Sequence, residues 1–224
     1  MVIQMGERFK VEKIPFPPSR FYAFIAKHSP FTKDVYVFVA KRVSEETTKG
    51  LVLDVGTGPG YLPIAIAKLM NETEVVGIDL SVDMVRMAKA NAEKAGVADR
   101  VKFEVMNARK MHYEDSHFDI VVSTGSFHHW RNKVKVLNEI YRVLKPRGKA
   151  LIYELRKDAP AEDREDLKVR YGAVVGPLVY RAVAVHSATT LEEYQEVLSD
   201  PQNLFKTFEI RLPVPFAMEA VLSK

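Results

Sequence analysis

The chain has 224 residues, 47% hydrophobic and 28% charged, the size and make-up of one globular domain able to bury a sizeable core. Its 33 Lys and Arg against 29 Asp and Glu leave a net charge of +4, which permits a nucleic-acid partner without requiring one. It has no cysteine, which excludes disulfides, thiolate metal sites and cysteine nucleophiles. Met1 to Glu12 is polar and mixed, unlike a signal peptide, and no apolar run reaches membrane-spanning length. A soluble cytoplasmic protein without membrane insertion is therefore expected.

Pro15, Pro17 and Pro18 stop any early helix, and two short helices are predicted over Ser19–Lys27 and Phe31–Val43, broken at Pro30. Phe9, Phe16, Phe21, Tyr22, Phe24, Phe31, Tyr36 and Phe38 crowd the same region. Most of these rings are read as packing that docks the helices on the domain. Tyr22 is assigned to a pocket for an apolar or aromatic substrate.

The stretch Leu51–Lys68, LVLDVGTGPGYLPIAIAK, organises the rest. A short apolar strand ends at Asp54 and Val55, glycines follow at 56, 58 and 60, and a mostly apolar helix comes next. A strand, a glycine turn and a helix N-terminus make a site for a nucleotide-like ligand, because glycine lets the backbone come close and free N–H groups point at it. The dinucleotide pattern G-x-G-x-x-G would need glycine at 61, where the chain has Tyr61. A second buried strand, Val75–Asp79, ends in a carboxylate able to accept from the vicinal hydroxyls of a ribose. The helix after it is capped by Ser81, carries Asp83 in its first turn and stops at Gly96. Met84, Met87 and Ala88 share its apolar face.

Val101–Val105 is a third strand, leading to Met106, Asn107 and Ala108. His117–Thr124 is a fourth, followed directly by GSFHHW, at the carboxyl end where a doubly wound sheet places its substrate. Lys133–Leu144 is an amphipathic helix closed by Lys145 to Gly148, and Lys149–Leu155 is a fifth strand. Beyond it, Ala161–Arg170 reads as a solvated charged helix and Tyr171–Ala188 as an apolar stretch, either a substrate-side cap or a core helix pair. Thr190–Leu198 reads as a helix with a capping box from Thr190 and Glu193. Leu204–Leu212 and Val214–Ser223 alternate as a closing antiparallel hairpin.

The D-x-G-x-G-x-G pattern of Asp54 to Gly60 resembles motif I of the class I S-adenosylmethionine (SAM) methyltransferases. The run FDIVVSTGSFHHW…VLNEIYRVLKPRGKALIYELR is similar to the region past motif I in their small-molecule members. The resemblance covers Gly50 to Arg156 and is nearest the branch typified by ubiquinone and menaquinone biosynthesis enzymes. It implies an α/β, Rossmann-like, doubly wound seven-stranded mixed sheet of order 3-2-1-4-5-7-6, last strand antiparallel, with an N-terminal helical cap. A single domain is expected over 1–224, with a cap at 1–48, a SAM-binding core at 49–156 and substrate-side helices and a closing hairpin at 157–224.

The resemblance implies SAM as the cofactor, held by Asp54, Gly56, Thr57, Gly58 and Gly60 in the first turn and by Asp79 and Leu80 at the ribose. Met84 would border the adenine. Asn107 stands where the family usually has aspartate; its side-chain oxygen is expected to accept from the adenine amino group, beside the Ala108 N–H donating to a ring nitrogen. Thr124 closes the set. The implied reaction is in-line methyl transfer to a small-molecule acceptor, apolar or aromatic. His128, His129 and Tyr22 are the candidate catalytic residues, with no metal. In an extended segment the two histidines would point opposite ways, so one of them, His128 by preference, is expected to meet the acceptor.

Two other functions fit the same cofactor domain: an RNA or protein methyltransferase, and a non-catalytic SAM-binding protein. Thr124-Gly125-Ser126-Phe127 stands where exocyclic-amine methylases carry Asn/Asp-Pro-Pro-aromatic, and the basic clusters are brief, so no specific nucleic-acid partner is expected. Nothing in the sequence specifies the acceptor atom or the oligomeric state.

Overall fold

The computed structural model describes residues 30–186, 188–214 and 217–224; the expected helix Ser19–Lys27, and Tyr22 with it, lie outside the described residues. Helix α1 (Pro30–Glu46) begins on its proline, which needs no N–H at a first helical position, so Pro30 opens a helix. Five strands follow in parallel: β1 (Gly50–Val55), β2 (Thr73–Asp79), β3 (Val101–Val105), β4 (Phe118–Thr124) and β5 (Leu144–Arg156). Helix α2 (Tyr61–Leu69) follows β1, α3 (Val82–Ala95) follows β2 and α4 (Lys133–Val143) follows β4, while β3 leads to β4 without a helix. After β5 come α5 (Ala161–Tyr171), α6 (Val175–His186), the two-residue strand β6 (Ala188–Thr189) and α7 (Leu191–Leu198). The hairpin β7 (Thr207–Val214) and β8 (Ala217–Ser223) closes the chain.

The sheet runs β3-β2-β1-β4-β5-β8-β7, with β6 pairing the end of β5. Setting that short strand aside, this is the 3-2-1-4-5-7-6 order, and the last strand is antiparallel to both neighbours. Residues Val52 to Val55 of β1 are all buried, as a strand covered on both faces requires. Helices α1, α2 and α3 cover one face through Val39, Val43, Ile66, Val85 and Ala88; α4 and α7 cover the other through Leu137, Ile140 and Tyr194. No helix among the described residues is long and apolar enough to cross a membrane.

Local signals set the helix ends. The Ser81 hydroxyl accepts from Met84 N at 3.4 Å, Gly96 closes α3 in the left-handed region, and Thr190 with Glu193 forms a reciprocal capping box on α7. The start of β5 departs from the sequence expectation. Lys145 to Gly148 reads as a turn in sequence, yet the strand already begins at Leu144, opposite Phe118. The ladder is interrupted there, with Phe118 facing Leu144 and Ile120 facing Lys149 while Arg147 takes φ 66, so Lys145 to Gly148 bulges between the two pairs, pinned by Arg147 N donating to Lys224 O and Lys224 N to Gly148 O at 3.0 and 3.2 Å.

Helix α1 is fixed to the sheet by a buried charge. Glu219 on β8, 1% exposed, accepts from Tyr153 Oη at 2.7 Å and from Arg42 Nε at 3.2 Å. Arg42 also bonds Glu45 and Glu46 on its own helix.

Candidate active site

The carboxyl ends of β1, β2 and β4 meet around the glycine turn. Gly56 N and Thr57 N both donate to Ile78 O at 2.9 Å, clamping the turn onto β2. On the other side the Ser123 and Ser126 hydroxyls converge on the Val55 carbonyl oxygen, at 2.8 and 3.0 Å. Gly56 has φ 77 and a Cβ there would stand 2.4 Å from Ser126 Cβ, so no larger residue fits this contact.

The next two glycines do different work. Gly58, at φ 52, has nothing within 4 Å of its would-be Cβ and lines an open cleft. Gly60, at φ 80, faces inward, where a Cβ would lie 2.7 Å from the Phe103 ring and 2.8 Å from Ala88 Cβ. Gly60 therefore lets the start of α2 pack on β3 and does not reach the cleft; Asp54 and Thr57 also lie beneath the turn, outside the cleft lining. Burial, together with the nearby Asp79 charge, raises the Asp54 carboxyl to about 7.

Asp79 ends β2 at the cleft wall. Its Oδ2 accepts from Gly58 N at 2.9 Å and its Oδ1 from Ser81 N at 2.8 Å. Burial pushes this carboxyl above its ordinary value, while those N–H bonds oppose the shift. Each oxygen retains acceptor capacity, so the pair can receive two adjacent hydroxyls.

The cleft is open to solvent on one side, and its inner part measures about 110 Å³. Leu80, Met84, Met106 and Ala108 give it an apolar slot on the β2–β3 side, and Thr124, Gly125, Ser126, His129, Trp130 and Arg131 form the opposite wall. The Thr124 hydroxyl is buried there without a hydrogen-bond partner, a polar atom suited to a ligand. Asn107 lines the slot, but its Oδ1 already accepts from Arg109 N and Arg109 Nε, at 2.9 and 3.4 Å. An adenine amino group donating to that oxygen, as expected, would share it with Arg109, and the Asn107 Nδ2 is a further donor.

The histidine pair also differs from expectation. Phe127–His129 is a single 3-10 turn, anchored by the buried Phe127 ring, so the two side chains do not alternate. Their rings lie 4.0 Å apart. His129, not His128, lines the cleft. His128 leans on Glu154 of β5: its backbone N and its Nδ1 each stand 2.9 Å from Glu154 Oε2, and its Nε2 is buried without a partner. Glu154 is absent from the sequence-derived site, although a lone carboxylate inside the apolar run LIYEL is a signal that could find it. Arg109, Arg131, Ser126 and Trp130 are further cleft residues that the sequence does not single out.

This sheet order, with a glycine turn and a strand-end carboxylate facing one cleft, defines a class I SAM-dependent methyltransferase fold. The family model described as a methyltransferase domain matches residues 47–200, and the chain belongs to that family. A ubiquinone/menaquinone biosynthesis C-methyltransferase of Hydrogenovibrio crunogenus is 31% identical over 153 residues, 68% of this chain and 54% of that protein. A demethylmenaquinone methyltransferase of Lactiplantibacillus plantarum is 38% identical over 104 residues, 46% and 44% of the two chains. The chain spans about half the length of these curated relatives. Among solved structures, a SAM-dependent methyltransferase from Aquifex aeolicus superposes with TM-score 0.68 at 20% identity, covering 93% of this chain and 99% of that one. SAM is the cofactor of this class, and the open face at Gly58, the Asp79 carboxylate and the unpaired Thr124 hydroxyl fit it.

Proposed function

We propose that the chain transfers a methyl group from SAM to a small apolar or aromatic acceptor. The observation that carries this reading is Asp79, whose two oxygens are fixed by Gly58 N and Ser81 N at the wall of the cleft. In this reading Gly56 and Gly58 admit the cofactor's amino-acid end, Asp79 and Leu80 take the ribose, and Met84, Asn107 and Ala108 border the adenine. Thr124 supplies a hydroxyl at the end of β4. When bound, SAM supplies an electrophilic methyl group, already activated by its sulfonium. The chain's own task is to hold the acceptor in line and to keep water out. Phe127 and Trp130, whose ring centroids stand 5.3 Å apart, give the acceptor wall a rigid apolar base.

The names of the relatives, quinone-pathway C-methyltransferases among them, support a small-molecule acceptor. The brief basic clusters support the absence of a specific nucleic-acid partner, and a cytoplasmic location goes with the same reading. Calorimetry with SAM, followed by incubation of the protein and methyl-labelled SAM with a cell extract, tests the proposal. One-to-one binding and label in the small-molecule fraction are expected. Absence of binding, or label confined to RNA or protein, overturns it.

A further inference from the structure

We propose that the outer face of the α5–α6 helix pair docks on an anionic lipid bilayer, lying on the membrane surface without crossing it. The inference goes beyond the methyl-transfer reading and concerns a surface apart from the cleft. The inner face of the pair is anchored to the domain. Leu167 is buried with Phe31 and Ala159, Tyr171 Oη donates to Asp34 Oδ2 at 2.8 Å, and Tyr180 Oη donates to Lys157 O at 3.0 Å. Gly176 brings α6 onto α5, because a Cβ there would lie 2.5 Å from Leu167 O. The helical turn already runs through Val174, whose carbonyl oxygen accepts from Leu178 N at 3.4 Å. Residues two apart on a helix are turned about 200° from one another, so Val174 and Leu178 face away from the contact that Gly176 makes.

That outer face is apolar. Val169, Val174 and Leu178 are 86%, 72% and 61% exposed, and Val175 is 45% exposed. Four of the ten large hydrophobic side chains exposed among the described residues thus fall between 169 and 178, a clustering that singly scattered surface residues do not give.

Charge selects the partner. From Leu167 to Leu191 the sequence has no Asp or Glu and carries Lys168, Arg170 and Arg181. Lys168 pairs with Glu165, one of the acids confined to the first half of α5. Arg170 and Arg181, both exposed, therefore set the sign at the patch. Aliphatic side chains flanked by arginines match a bilayer interface, where apolar groups enter the acyl boundary and guanidinium groups stay at the headgroup phosphates. A second copy fits less well. A two-fold contact would set the patch against itself, and with no acid in it the arginines would meet their own copies. A nucleic acid would engage the arginines and leave the aliphatic side chains in water. So small a patch gives weak, reversible attachment that falls with salt.

The test mixes the full chain with vesicles of phosphatidylcholine and phosphatidylglycerol, or of phosphatidylcholine alone, and reads binding by co-sedimentation. Binding to the mixed vesicles is expected, and it should be about 10-fold weaker or more on phosphatidylcholine alone. Val174→Asp combined with Leu178→Asp should lower it by about 10-fold or more. Arg170→Gln combined with Arg181→Gln should remove the preference for phosphatidylglycerol. Leu212→Asp, at an exposed apolar position on β7, should bind as the wild type does. SAM affinity should stay unchanged in all of these variants. Leu178→Trp gives a reading that does not depend on how the aspartate variants fold: its fluorescence should be quenched by lipids brominated on their acyl chains, while the buried Trp130 is not. Absence of vesicle binding, equal binding to the two compositions, wild-type binding by the aspartate pair, or no quenching at position 178 overturns the inference. A dimer that the aspartate pair dissociates, with no vesicle binding, also overturns it and assigns the face to a second copy.

Discussion

The Gly58 N–H points at Asp79 Oδ2 across 2.9 Å, joining the glycine turn after β1 to the carboxylate that ends β2. The two are 21 residues apart, and the bond makes one unit of what the sequence presents as separate motifs. The turn fixes the carboxylate's rotamer, and the carboxylate fixes the turn. A ribose arriving at the cleft would find its acceptor already oriented, which lowers the ordering cost of binding.

Asp79→Ala removes both acceptors and unties the turn. SAM affinity should fall by about 1.5–3 kcal/mol, the scale of hydrogen bonds to a charged group. Isothermal calorimetry measures it, and unchanged affinity would refute the ribose assignment.

Two glycines of the turn should separate by phenotype. Gly58→Ala places a methyl group in open space, though at φ 52, so it should weaken SAM binding with little loss of thermal stability. Gly60→Ala combines φ 80 with contacts of 2.7 and 2.8 Å to Phe103 and Ala88, so it should cost about 2–4 kcal/mol of fold stability. Denaturant titration and calorimetry on both variants check the contrast. Equal loss of affinity at equal stability would show that both glycines face the ligand.

Much of this architecture is legible in the sequence because its signals are local. The apolar run before Asp54, the caps at Ser81, Gly96 and Thr190, and the strand-end Asp79 each depend on neighbours within a few residues. What escapes depends on distant partners. The bulge near the start of β5 is pinned by Lys224, at the far end of the chain, and a Pro-Arg-Gly sequence gives no hint of that partner. The roles of His128 and His129 turn on a 3-10 turn seated by Phe127 and on Glu154, 26 residues from His128. Gly60 shares the spacing of its neighbours, yet its face is decided by Phe103.

Glu219 is a buried charge whose partners come from two other elements, Tyr153 on β5 and Arg42 on α1. Among the described residues, Arg42→Ala would leave it with the tyrosine hydroxyl as its side-chain partner. Removing one partner of a buried pair typically costs 3–5 kcal/mol; with Tyr153 retained, a loss of about 3 kcal/mol is expected. Arg42→Ala with Glu219→Gln should recover much of it, because the uncompensated charge is gone. Urea unfolding of the single and double variants measures the coupling, and additive losses would show that the ion pair does not anchor α1.

Asp54 gives a pH signature. Its carboxyl is raised from 3.8 to about 7 in the fold, chiefly by burial. Between these values the folded chain binds the proton that the unfolded chain has released. Stability therefore declines as pH rises through this window, by up to about 1.4 kcal/mol for each pH unit crossed, and the loss is complete above about pH 7. This is the reverse of the usual salt-bridged carboxylate. Asp54→Asn cannot ionise, so its unfolding free energy should be flatter from about pH 4 to 8 than that of the wild type. Chemical denaturation at about pH 5 and about pH 8 gives the two slopes, and identical pH dependence in both proteins would mean that Asp54 is charged throughout.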